Sequence, residues 1–80
     1  MGVTAESVKQ WLVDNAGLES GDVEGDTLLF STSLVDSFDL IDLVTWIEET
    51  AGFTFGPLDI NLDNLDTVER IVAFVQSKAG

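Results

Sequence analysis

The sequence predicts an all-α fold, a small three- to four-helix bundle with a long loop between the first and second helices. Apolar residues recur at helical spacing in three segments, and no segment alternates apolar and polar residues as a half-buried strand would. The chain has 80 residues, of which 45% are hydrophobic, which is enough for one small core. We therefore expect residues 1–80 to form a single domain.

The first predicted helix begins after Thr4, which has the residue type of an N-cap, and ends at Gly17. Its apolar face consists of Val8, Trp11, Leu12 and Ala16. Residues 19–35 follow, and their Gly, Ser and Asp residues predict a long loop. The loop is expected to be anchored by Leu28, Leu29, Phe30 and Leu34.

Two further helices are predicted, one over residues 36–51 and one near the end of the chain. Asp36 should cap the first of these, and Gly52 should end it. Its apolar side consists of Leu40, Leu43, Val44, Ile47 and Ala51. Asp66 and Glu69 have the spacing of a capping box for the last helix. The last helix has Val68, Ile71, Val72 and Val75 on its apolar face, and a short fourth helix fits between Asp59 and Leu65.

The charge of the chain restricts its partners. The formal net charge is -12, and the only basic residues are Lys9, Arg70 and Lys78. Nucleic acids and anionic membranes would be repelled, whereas a basic protein would be attracted. Charge used only for solubility explains the composition equally well. The longest apolar run, residues 71–75, is far too short to span a membrane, so we expect a cytoplasmic protein. We also expect it to be a monomer.

The residues needed for autonomous catalysis are missing from the sequence. It contains no His and no Cys, so the usual general base and the strongest nucleophile are absent, and no enzymatic activity is expected. Asp59, Asn61 and Asp63 alternate as in a calcium loop. Asn64 stands where that loop needs Gly, however, and Arg70 stands where it needs a bidentate Glu. We therefore expect a solvated turn and no metal site.

Ser37 is the residue whose position points most clearly to function. It follows the predicted cap Asp36, which places its hydroxyl in the first turn of a helix. A phosphodiester formed there would meet unpaired backbone N–H groups and the positive end of the helix dipole, although Asp36 and Asp39 oppose this effect. Serine is also an ordinary residue in a first helical turn, so a purely structural role is the competing interpretation.

The segment Asp36-Ser37-Phe38 resembles the Asp-Ser-Leu signature of acyl carrier proteins and the related peptidyl and aryl carrier domains. The resemblance extends over the whole chain, from the first helix and long loop to the final helix that begins after Leu65-Asp66-Thr67. It implies that Ser37 receives 4′-phosphopantetheine from coenzyme A. Phe38 replaces the usual Leu, and in this the chain resembles stand-alone carriers that serve adenylating ligases.

The resemblance also implies that the second helix is the main docking surface for partner enzymes. Helical geometry leaves mixed apolar and acidic residues on its outer side. The residues expected to contact partners are Asp36, Phe38, Ile41, Asp42, Thr45, Glu48 and Glu49. Trp46, at the flank beside Asp39, is interpreted mainly as a half-buried packing residue.

Two functional hypotheses follow. In the first, the chain is a free-standing carrier that holds an acyl, aminoacyl or aryl group as a thioester on the arm at Ser37. Its partners would be a phosphopantetheinyl transferase, a loading ligase or transferase, and downstream synthase or tailoring enzymes. In the second, the chain is a cofactor-free interaction module whose acidic helix docks in a basic groove. The state of modification of Ser37 distinguishes them.

Overall fold

The structure, a computed structural model, describes residues 3–79 and is all-helical in that range. Its α-helices are α1 (Ala5–Asn15), α2 (Ser37–Ala51), α3 (Leu62–Leu65) and α4 (Val68–Ala79). A short 3-10 turn at Ser20–Asp22 lies in the long loop between α1 and α2. Residues 3–79 contain no strand, which confirms the predicted fold class. None of these helices has the length and apolarity required to cross a membrane.

α1 begins and ends where its sequence signals predicted. Thr4 Oγ1 accepts a hydrogen bond from the backbone N–H of Ser7, and Ser7 Oγ accepts one from the backbone N–H of Thr4. This reciprocal pair is a capping box, and it satisfies backbone donors that the first turn leaves free. Gly17 then adopts a φ of 75°, a left-handed conformation in which glycine has no Cβ to clash.

Both ends of α2 are also defined by hydrogen bonds between residues that are close in sequence. Asp36 Oδ1 accepts a hydrogen bond of 3.0 Å from the backbone N–H of Phe38, so Asp36 is the predicted N-cap. At the other end Gly52 has a φ of 81°, and its N–H donates to the carbonyl of Glu48 at 3.0 Å. Both terminal signals of the helix that begins with Ser37 are therefore confirmed.

The predicted capping box of the last helix is wrong. The N-cap of α4 is Thr67, whose Oγ1 accepts a hydrogen bond of 3.1 Å from the backbone N–H of Arg70. The Asp66 carboxylate instead accepts hydrogen bonds from the loop between α1 and α2. The sequence spacing could not show this, because the donors lie more than thirty residues away in the chain.

The segment with calcium-loop spacing is a hydrogen-bonded turn, as predicted. Asn61 Oδ1 accepts from the backbone N–H of Asn64 at 3.0 Å, and Asn61 Nδ2 donates to the carbonyl of Leu58 at 2.8 Å. In the part of the chain that the structure describes, no group of three or more His, Cys, Asp or Glu residues could hold a metal ion. The short helix predicted between Asp59 and Leu65 is α3, which begins three residues later.

The core is built from all the helices together with the long loop. Its fully or nearly buried apolar residues are Val8, Leu12, Val23, Leu29, Val35, Leu43, Val44, Ile47, Phe55, Leu65, Val68, Ile71 and Val75. On α2 the centre of the buried side is Leu43, whereas Leu40 and Ala51 are only half-buried. In the loop Leu29 is buried, but Leu28 and Leu34 are exposed, so the expectation that they anchor the loop is wrong.

Aromatic side chains cover two edges of this core. Trp46 is half-buried, as expected, and its ring centroid lies 6.2 Å from that of Trp11 on α1. Phe55 stacks on Phe74 with a centroid separation of 5.2 Å, and Phe53 lies 5.2 Å from Phe55. The Phe53, Phe55 and Phe74 rings therefore connect the chain that leaves α2 with α4.

Candidate functional site

Ser37 is the first residue of α2, and its side chain is exposed to solvent. The Ser37 hydroxyl lies 3.5 Å from Asp36 Oδ1, a distance at which any hydrogen bond between them is weak. The Asp36 carboxylate is already engaged by the backbone N–H of Phe38. The hydroxyl is therefore accessible, and no strong bond has to break before another enzyme can reach it.

The backbone around Ser37 suits a bound phosphate. Between residues 3 and 79, no protein group accepts a hydrogen bond from the backbone N–H of Ser37 or of Asp39. These N–H groups lie at the positive end of the α2 dipole, where a phosphodiester on the serine oxygen would be favoured. The Asp36 and Asp39 carboxylates act in the opposite direction. The residues present accordingly fit a phosphate ester, with a mixed electrostatic environment.

An exposed apolar pair follows the serine along α2. Phe38 is 76% exposed and Ile41 is 63% exposed, which is far more than a packing role requires. Asp42, Thr45 and Glu49 are also exposed. We call Phe38, Ile41, Asp42, Thr45 and Glu49 the α2 outer face, and the structure places all of them on the side turned away from Leu43 and Ile47. The Thr45 hydroxyl donates to the carbonyl of Ile41, so it is partly used within the helix.

Glu48 departs from the expectation for the outer face. It is half-buried, and its Oε2 accepts a hydrogen bond of 2.7 Å from the backbone N–H of Phe55. The carboxylate thereby holds the chain that leaves α2 against the helix. We consequently leave Glu48 out of the outer face, because its side chain is committed to an internal contact.

The acids of α2 have no cationic partner within the described range of the chain. Among residues 3–79 the ion pair is formed by Lys78 Nζ and Asp59 Oδ2, which lie 3.8 Å apart. Lys78 belongs to α4, and Asp59 lies between α2 and α3. Lys9 lies on α1 and Arg70 on α4. No salt bridge among residues 3–79 therefore neutralises the acids of the outer face, which favours the approach of a basic protein surface.

Asp66 is a buried carboxylate that connects to the site through the long loop. Only 3% of the residue is exposed, and its Oδ1 accepts hydrogen bonds from the backbone N–H groups of Phe30 and Ser31 at 2.8 and 3.0 Å. Its Oδ2 accepts from the Ser31 hydroxyl at 2.7 Å. Burial by itself would raise the pKa of the Asp66 carboxyl, but the hydrogen bonds from Ser31 and Phe30 more than offset it. The pKa therefore lies below its ordinary value of 3.8.

Sequence reasoning missed this role of Asp66 and also the apolar turn before α3. Leu58 is 91% exposed, and Ile60 and Leu62 are partly exposed beside it in the chain. A large aliphatic residue directly after Pro57 in a predicted turn was the available signal for this exposed apolar turn. No local signal distinguished Asp66 from an ordinary capping residue.

Comparison with known proteins places these features in a family context. No family model matches the chain. The chain is 31% identical over 75 residues to an acyl carrier protein from Akkermansia muciniphila, covering 94% of this chain and 91% of that protein. It is 29% identical over 76 residues to an acyl carrier protein from Solidesulfovibrio magneticus, with 95% of both chains covered. It is also 28% identical over 53 residues to a D-alanyl carrier protein from Abiotrophia defectiva, covering 66% of this chain and 67% of that protein.

Proposed function

Because the chain belongs to the acyl carrier protein family, we propose that it carries an acyl, aminoacyl or aryl group on a 4′-phosphopantetheine arm attached to the hydroxyl of Ser37. Members of this family are carriers and not enzymes, and the chain has a carrier role. The observation that carries the proposal is the exposed Ser37 hydroxyl at the start of α2.

The residues around the serine have separable roles in this proposal. Ser37 provides the oxygen that becomes esterified, and Asp36 fixes the first turn of α2 by capping the Phe38 N–H. The backbone N–H groups of Ser37 and Asp39, for which residues 3–79 provide no acceptor, would be available to hold the phosphate. When attached, the arm supplies a thiol that holds the cargo as a thioester, which this cysteine-free chain cannot do by itself.

The α2 outer face is the proposed docking surface for successive partners. A phosphopantetheinyl transferase, a loading ligase or transferase, and later synthase or tailoring enzymes would each recognise the apolar Phe38 and Ile41 together with the surrounding acids. The exposed position of Asp36 next to Ser37 adds a charge at the point of transfer. The pathway in which they act is a fatty-acid, polyketide or nonribosomal-type one. The cytoplasmic location and monomeric state expected from the sequence stay predictions.

Similarity to a D-alanyl carrier protein supports the aminoacyl alternative for the cargo. That similarity covers 66% of the chain, whereas the acyl carrier protein from Akkermansia muciniphila matches 94% of it. The departure at Phe38 from the usual signature supports loading by an adenylating ligase. Both features leave the proposed attachment at Ser37 unchanged.

The decisive experiment is intact-protein mass measurement after incubation with coenzyme A and a broad-specificity phosphopantetheinyl transferase. Wild-type protein should gain the mass of one phosphopantetheine, and Ser37→Ala should gain none while remaining folded. Ser33→Ala, which removes another exposed hydroxyl nearby in the loop, should be modified like wild type. Absence of modification of the wild type, with a control carrier modified in parallel, would instead favour the cofactor-free interaction module.

A further inference from the structure

The loop between α1 and α2 is attached to the rest of the fold by few polar contacts. Among residues 3–79, every hydrogen bond that joins residues 19–35 to other parts of the chain is made with Asp66 or Glu69. Glu69 contributes one, from its backbone N–H to the carbonyl of Gly25 at 3.0 Å. Asp66 contributes all the others.

Asp66 holds the loop through both its side chain and its backbone. The carboxylate accepts from Phe30 and Ser31, as described above, and the carbonyl of Asp66 accepts from the backbone N–H of Leu29 at 2.7 Å. The backbone N–H of Asp66 donates to the carbonyl of Leu62, which ends α3. One residue at the junction of α3 and α4 therefore fixes three consecutive residues of the loop.

The fixed turn leads directly to the serine. The carbonyl of Leu29 accepts a hydrogen bond of 2.9 Å from the backbone N–H of Val35, and both side chains are buried in the core. Val35 is followed by the cap Asp36 and then by Ser37. A chain of hydrogen bonds therefore runs from Asp66 through Leu29 to Val35, two residues before the start of α2.

We infer that Asp66 is a positioning residue for the modification of Ser37. This inference rests on the proposed function. The Asp66 carboxylate orders residues 29–31, this order is passed to Val35 through the Leu29 carbonyl, and the start of α2 is presented to the transferase in one fixed orientation. Group transfer depends steeply on such orientation, since a displacement of about 1 Å can cost about a hundredfold in rate.

The test measures the kinetics with which a phosphopantetheinyl transferase modifies Ser37, and this reaction is called loading from here on. It compares Asp66→Ala, Asp66→Asn and Val8→Ala with wild type, at temperatures where each variant is folded. Val8→Ala is the matched control, because it destabilises the core from α1 without removing a hydrogen bond of the loop. Amide hydrogen exchange of Phe30 and Ser31 is measured on the same samples. This second measurement reports directly on the bonds to Asp66.

Asp66→Ala should lose protection at both amides and lower the kcat of loading about tenfold. The KM of the transferase for Asp66→Ala should stay within about twofold of its KM for wild type, because the α2 outer face is unchanged. Asp66→Asn should recover most of both properties, since its amide oxygen can accept from the two N–H groups and its NH₂ can donate to the Ser31 hydroxyl. Val8→Ala should keep the wild-type kcat despite its lower stability.

The inference would be overturned if Asp66→Ala lost amide protection but kept its kcat. It would also be overturned if Asp66→Ala and Val8→Ala lost kcat equally. A third contrary result would be an Asp66→Asn protein that has protected amides and yet loads as slowly as Asp66→Ala. If Asp66→Ala does not fold, Ser31→Ala takes its place, because Ser31 is exposed and, among the residues that the structure describes, its hydroxyl bonds only to Asp66 Oδ2. Its kcat should fall about threefold, and an unchanged kcat would count against the inference. Failure of wild type to load would refute the proposed function itself, a result distinguishable from all of these.

Discussion

At the scale of single residues, the conformation of a glycine and the ionisation of a carboxyl can be related directly to stability. Gly52 closes α2 with a left-handed backbone, and Asp66 holds the long loop as a buried anion. The contribution of each to stability comes from that residue's own backbone conformation or charge. Each can therefore be tested by one substitution and one control.

Gly52→Ala should destabilise the protein by about 1 kcal/mol, because an L residue pays a steric cost in the left-handed region. The space around Gly52 is open, so the expected loss comes from backbone strain and not from a collision. Gly21→Ala is the control, since Gly21 also has open space but does not have a positive φ. Urea unfolding should show a lower midpoint for Gly52→Ala only. Equal midpoints for the two variants would contradict a strained C-terminal cap.

Asp66 should make stability depend on pH in acid. Its folded-state pKa lies below the ordinary value of 3.8, so its ionised form is favoured by folding. Its contribution is therefore complete above the unfolded-state pKa and is lost as the pH falls through the folded-state pKa. The difference in unfolding free energy between wild type and Asp66→Asn should be constant from about pH 7 to about pH 5 and shrink toward about pH 3. A difference that is independent of pH would show that the carboxyl is not selectively stabilised as an anion.

At the scale of secondary-structure elements, α2 has to meet two requirements at once. One side packs Leu43, Val44 and Ile47 into the core, while the other exposes Phe38 and Ile41 to solvent. The helix is therefore apolar around much of its circumference, and the positions of its apolar residues alone do not identify the buried side. The acids on the outer face supply the distinction, because uncompensated carboxylates avoid the core.

Leu43→Ala should destabilise the protein by about 2 to 5 kcal/mol, because Leu43 is completely buried and its removal leaves a cavity. Leu40→Ala should cost less, since Leu40 is only half-buried and the space it leaves is open to solvent. Urea denaturation monitored by circular dichroism gives both values. A larger loss for Leu40→Ala would mean that α2 is rotated about its axis relative to the structure.

At the scale of the whole molecule, the distribution of charge governs how partners approach. The formal net charge of -12 is spread over the chain, but the acids of α2, which form no salt bridge with any of residues 3–79, lie next to the proposed attachment site. A carrier has to meet several enzymes in turn, so long-range steering serves it better than a large, dry interface. The expected signature is an association rate that falls as salt is added.

Asp42→Lys and Glu49→Lys should slow loading by the transferase and reduce its dependence on salt. At about 0.15 M salt the Debye length is about 8 Å, and further salt should slow wild type more than either variant. Glu19→Lys is the control with an identical change in net charge, because Glu19 is exposed but lies before the 3-10 turn, outside α2. Transferase kinetics over a salt series measure the effect. Equal rates and equal salt slopes for all four proteins would assign the charge to solubility and remove α2 from the docking proposal.

Ile41→Ala probes the apolar part of the same surface. Loss of an exposed apolar contact from the outer face should speed dissociation of the partner while leaving the salt dependence of association intact. Surface-bound transferase and carriers in solution would give both rate constants. A change in the association rate alone would contradict a direct apolar contact.

The sequence by itself determined the features whose partners lie within one helical turn. The caps at Thr4 and Asp36, the left-handed glycines at Gly17 and Gly52, and the position of Ser37 at the start of α2 were all predictable. Each depends on a side chain and a backbone group no more than a few residues apart, so residue type and spacing suffice. The same local signals carried the family resemblance around Ser37.

Only the tertiary structure decided which residues of the irregular segments are buried and what the distant polar groups bind. Leu29 is buried while Leu28 and Leu34 are exposed. A loop has no hydrophobic periodicity from which this difference in burial could be predicted. Asp66 has capping spacing with Glu69, yet its carboxylate binds the backbone of the long loop, 35 and 36 residues earlier in the chain. The physical reason is the same in both cases: a buried carboxylate or loop residue takes the partners that the packed core brings near, and the sequence specifies that proximity only through the whole fold.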